Sequence, residues 1–83
     1  MMQEGLLWYD NDPNRKVVEK INRAVERYRT KLRHKPTVCY LNIKDLDSEI
    51  EQVDGVFLKP APNILPHHFL LGVEQNSMPV KAS

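Results

Sequence analysis

Only one long stretch of this chain repeats its apolar residues at helical period. Between Pro13 and about Leu32, the residues Val17, Ile21, Ala24, Val25, Tyr28 and Leu32 recur at steps of three and four. That spacing lays one oily stripe along one side of a helix. Pro13 suits the first helical position, where its missing N–H costs nothing. Asp12 before it is the expected N-cap, its carboxylate accepting from the free amides of the first turn. Glu19 with Arg23 and Glu26 with Arg29 are spaced for side-chain pairing. Pro36 must stop the helix, with His34 and Lys35 placed near its negative end.

The rest of the chain reads mainly as strands. Leu6 to Tyr9, Thr37 to Ile43, Val56 to Lys59 and Phe69 to Val73 are rich in β-branched, aromatic and aliphatic residues. His67 and Glu74 are the outer bounds of the last strand. Leu46, Ile50 and Val53 are spaced for a short helix, capped by Asp47 or Ser48 and ended by Gly55. The prolines of Pro60-Ala61-Pro62-Asn63 force an extended linker that Ile64-Leu65-Pro66 continues. The expected fold is therefore α+β in two layers, with one amphipathic helix on a sheet of three or four strands in the order β-α-β-short α-β-β. One domain spans 6–75, between a flexible N-terminus at 1–5 and a flexible tail at 76–83.

This layout leaves too little cover. Strand segments such as Leu6-Leu7-Trp8-Tyr9 and Phe69-Leu70-Leu71 are apolar at nearly every position, whereas a sheet with one wet face should alternate. One helix shelters one face. A chain of 83 residues buries only about 60–65% of the surface it exposes when unfolded, so its core is thin. Homo-oligomerisation through a sheet face or a strand edge is the expected remedy, with Tyr9, Tyr40, His68 and Leu70 as candidate contacts. The competing expectation is that the linker from Lys59 to Pro66 folds back and seals the second face.

Charge is strongly polarised. The window from Arg15 to Lys35 holds nine bases against Glu19 and Glu26, a net of +7; the remainder holds three bases against nine acids, a net of −6. Lys16, Lys20, Arg23, Arg27 and Lys31 recur at steps of four, three, four and four, which makes a ridge beside the apolar stripe. Such a ridge can follow a phosphate backbone, since each neutralised phosphate releases counterions. It can also meet an acidic protein surface, including Asp45, Asp47, Glu49, Glu51 and Asp54 of a neighbouring copy, or simply face water. Trp8, Tyr9, Tyr40 and Phe57 lie on strands, where core packing competes with base stacking or filling a partner's pocket.

Catalytic chemistry is not expected. Pro66-His67-His68-Phe69 suggests a metal site, but adjacent strand residues point to opposite faces, and no zinc-type spacing accompanies them. Asp10-Asn11-Asp12 opens like a calcium loop, yet Arg15 and Ile21 stand where glycine and glutamate are required. Phe57 occupies the place of the second carboxylate that a nuclease site with Asp54 and Lys59 would need. No serine lies in a strained glycine-flanked turn, and Gly5, Gly55 and Gly72 are too scattered for a phosphate loop. No cofactor is expected. Cys39, the single cysteine, sits in an apolar run and fits a buried structural role in a reducing compartment. Leu6 to Tyr9 is far too short for a signal or a membrane span, so a soluble cytoplasmic protein without membrane contact is expected. The overall expectation is a small non-enzymatic interaction module that self-associates or joins a larger protein assembly. The alternative is a nucleic-acid-binding accessory protein using the basic face of helix 13–33.

Overall fold

The apolar stripe is the buried side of helix α1, Val17–Leu32, in a computed structural model that describes the backbone of residues 2–74 and the side chains from residue 5 onward. Ile21, Ala24, Val25 and Tyr28 of this stripe are all buried. Each large apolar side chain so placed stabilises the fold by about 1.5–3 kcal/mol. The helix starts four residues later than the sequence predicts. Asp12 accepts from the backbone N–H of Asn14 at 2.9 Å and from the Arg15 guanidinium at 3.0 Å, closing a turn instead of capping the helix. Short polar side chains satisfy nearby amides in this way and compete with helical bonding. The cap position is Lys16, whose backbone N–H donates to the Glu19 carboxylate at 3.3 Å. At the other end, Arg33 adopts a left-handed conformation and its N–H donates to Arg29 O at 2.9 Å. Among the described residues, Glu19–Arg23 and Glu26–Arg29 do not form ion pairs.

Five strands form one mixed sheet: β1 (Met2–Tyr9), β2 (Val38–Leu41), β3 (Gln52–Val53), β4 (Val56–Pro60) and β5 (His68–Glu74), in the order β1-β5-β2-β4-β3. β5 runs antiparallel to both β1 and β2, so β1 and β2 are parallel to each other with β5 between them. Parallel strands need a crossover, and α1 supplies it. β4 pairs parallel with β2, and β3 adds antiparallel to β4. The helix-side face contributes Cys39, Leu41, Val53, Val56, Leu58, Phe69 and Leu71 to a core shared with Ile21, Ala24, Val25 and Tyr28. Leu6 and Trp8 pack against its margin.

The α+β two-layer class holds, but with five strands rather than three or four, and the expected short helix does not form. Asn42 to Ile50 is instead a run of turns. The Asn42 side chain accepts from Lys44 N–H and that of Asp47 from Glu49 N–H, both at 2.9 Å. Leu46 and Ile50 still reach the core. Val53 joins the sheet edge through a hairpin whose corner is Asp54-Gly55, at φ 52° and 81°. Asp-Gly is the favoured pair where both corner residues need positive φ. β1 begins at Met2 rather than Leu6, so residues 2–5 belong to the sheet. The expected flexible tail, 76–83, lies outside the described residues. Among the described residues, no helix is long and apolar enough to cross a membrane.

Candidate interaction surfaces

Side chains alternate along each strand, and the register decides which become neighbours. On the face away from α1, Leu7 lies beside Leu70, Leu70 beside Tyr40 and Tyr40 beside Lys59, one row crossing four strands. One neighbouring row sets Tyr9 against His68, with ring centroids 4.8 Å apart. The other sets Gly72 beside Val38 and Val38 beside Phe57. Tyr9, Tyr40, His68 and Leu70, drawn from three strands of the sequence, thus share one face. Three of the largest apolar side chains here are more than half exposed: Leu7 at 58%, Tyr9 at 56% and Phe57 at 52%. Leu7 and Phe57 were legible as members of this face from their two-residue spacing to Tyr9 and Lys59, once the strands' facing was known.

A polar clamp crosses the same face. The Tyr40 hydroxyl donates to one oxygen of Glu74, and Lys59 Nζ donates to the other at 2.7 Å. The Glu74 backbone N–H donates to the Thr37 hydroxyl at 3.0 Å. The lysine ammonium, helped by the phenol, holds the Glu74 carboxyl below its usual range, and the same phenol–carboxylate bond pushes the Tyr40 hydroxyl up.

The linker folds back over part of this face. Ile64 is 7% exposed, and its carbonyl accepts from the Asn42 side-chain amide at 2.9 Å. A cavity of about 290 Å³ remains between Ile64, Ala61 and Asn63 on the linker and Tyr40 and Leu70 on the sheet. Sealing is therefore partial: Leu7, Tyr9 and Phe57 stay outside the linker's reach. Three prolines in seven residues stiffen the segment and limit how far it can spread.

The second surface is the basic side of α1. Lys16, Arg23, Arg27 and Lys31 are exposed. Lys20 is only 6% exposed, which removes it from the ridge; its long aliphatic stem lies alongside the core rather than in water. Among the described residues, no carboxylate reaches ion-pair distance of any of these five. Among the described residues, the acids that form pairs serve other bases: Asp10 and Asp12 hold Arg15, Asp54 holds Lys35, Glu74 holds Lys59, and Asp45 faces His67. Where α1 passes β1, a groove of about 380 Å³ opens, lined by Trp8, Arg23, Glu26, Arg27 and Thr30.

Among the described residues, no three His, Cys, Asp or Glu side chains gather as a metal site would require. His67 sits in a left-handed turn, where its N–H donates to Asp45 at 2.7 Å. His68 begins β5 with its Nδ1 2.9 Å from Pro66 O. Cys39 is fully buried, and desolvation pushes its thiol up to about 12, so it stays protonated and unreactive near neutral pH. No family model, curated protein or solved structure matches this chain.

Proposed function

We propose that this protein is a small non-enzymatic interaction module that self-associates, with a second copy packing on the sheet face opposite α1. The observation that carries this reading is the joint exposure of Leu7, Tyr9 and Phe57 on one registered face with Leu70 and Tyr40. Large apolar side chains left exposed on both flanks of one face, either side of the linker and the clamp, suit a contact site.

Charge favours a copy of the same chain as occupant. The rows of this face carry one base and one acid, Lys59 and Glu74. They already neutralise each other within the chain at 2.7 Å, so two copies can pack these faces together about a two-fold axis without net like-charge repulsion. The same arrangement turns both basic helices outward, where their repulsion is least.

Light scattering after size exclusion tests the reading. A dimer or larger species at about 100 μM, reverting to monomer in Leu7→Asp and Phe57→Asp, is expected, in the affinity range of modest interfaces. A monomer at that concentration overturns it.

A further inference from the structure

The basic groove on the opposite side of the molecule is chemically unlike the apolar face. Its lining joins an indole, two guanidiniums and a threonine hydroxyl, with Glu26 as its one acid. Arg23 and Arg27 are exposed and have no carboxylate partner among the described residues. Guanidiniums left unpaired beside an aromatic ring suit a ligand that is both flat and anionic. Arginine binds phosphate oxygens through two parallel N–H donors and also stacks on planar groups.

We infer that this groove binds single-stranded nucleic acid, with Trp8 stacking on a base and Arg23 and Arg27 holding the flanking phosphates. Stacking on an aromatic side chain inside a positive channel is how strands are held without sequence readout. A duplex keeps its base faces covered by neighbouring bases, so only an unpaired strand offers one to the indole. The basic side continues beyond the groove. From Lys16 to Lys31 it extends about 22 Å at 1.5 Å per residue, enough for several nucleotides. The site lies on the helix side of β1, whereas Leu7 and Tyr9 project from the other side of that strand. It therefore stands whether or not the protein self-associates.

Trp8 is the single tryptophan, so its fluorescence reports on the groove alone. The full chain is titrated with oligothymidylate of about ten nucleotides, a length within the usual single-strand site sizes. Saturable quenching is expected at low salt. Affinity should weaken with salt, the logarithmic slope being about −0.7 for each phosphate neutralised. Arg23→Glu with Arg27→Glu should weaken binding at least about tenfold and flatten that slope, both side chains being exposed and without an ion-pair partner among the described residues. Trp8→Phe should keep most of the affinity measured by anisotropy of a labelled strand, and Trp8→Ala should lose about tenfold. Circular dichroism melts confirm that each variant is folded. Because Trp8 also packs on the core margin, the arginine pair decides the matter if Trp8→Ala unfolds. The inference is overturned by a lack of saturable binding at low salt or by unchanged affinity in the arginine variant. It is equally overturned if a polyglutamate peptide or a DNA duplex binds as tightly as the single strand.

Discussion

Glu74 shows how one side chain joins three elements. It accepts from Tyr40 on β2 and Lys59 on β4 while sitting at the end of β5. Its carboxyl titrates below the ordinary glutamate value of about 4.5 because the folded state favours the charged form. Its contribution is therefore complete above about pH 4.5 and fades as pH falls through the lowered folded value. Glu74→Gln should cost about 0.5–1 kcal/mol at neutral pH, since the clamp is partly solvated. Urea unfolding at a series of pH values should show that this difference shrinks in acid; a constant difference would contradict the linkage. Lys20 gives the opposite lesson. Its spacing places it on the ridge, yet it lies 6% exposed. Spacing alone cannot say how closely a neighbouring strand approaches a helical position.

At the scale of elements, α1 and the strands were legible because their periods differ, 3.6 against 2. The stripe of Val17, Ile21, Ala24, Val25 and Tyr28 could satisfy only a helix. Its N-terminus was less legible, because Asp12 offers the same carboxylate to a turn as to a helix, and the contest is settled by Arg15 binding Asp10 and Asp12. The segment holding Leu46, Ile50 and Val53 misleads for a related reason. Spacings of four and three between its apolar residues fit a short helix, but turn-forming Asn42 and Asp47 bond nearby backbone, and Val53 pairs with Val56 in the sheet. The hairpin corner is sensitive to backbone freedom. Gly55 lies at φ 81°, where a side chain is strained although there is room for one: the nearest atom, Lys35 Nζ, is 3.7 Å from where a Cβ would sit. Gly55→Ala should destabilise by about 1–2 kcal/mol, a fall in melting temperature of about 4–8 °C per kcal/mol for a domain of this size. An unchanged melt would show that β3 contributes little to the cooperative unit.

The whole molecule has two unlike sides: a sheet face with exposed Leu7, Tyr9 and Phe57, and a helix face with exposed Arg23, Arg27 and Lys31. Salt separates them. Self-association through the apolar face should hold or strengthen as salt rises from about 50 to about 500 mM, because screening quiets the repulsion between basic helices while leaving apolar burial intact. Sedimentation velocity across that range is the measurement. Weakening with salt would instead point to the basic helix of one copy meeting the acidic segment Asp45 to Asp54 of another. The long helix, the apolar strands, the charge imbalance and the shortage of cover were all legible in the sequence, because each follows from local period or simple counting. Tertiary structure alone decided that β5 inserts between β1 and β2, that the linker seals only the Ile64 end of the second face, and that Trp8 comes to lie beside Arg23 and Arg27. These are contacts between residues far apart in the chain, set by strand order and register, and no local pattern encodes which strand will be whose neighbour.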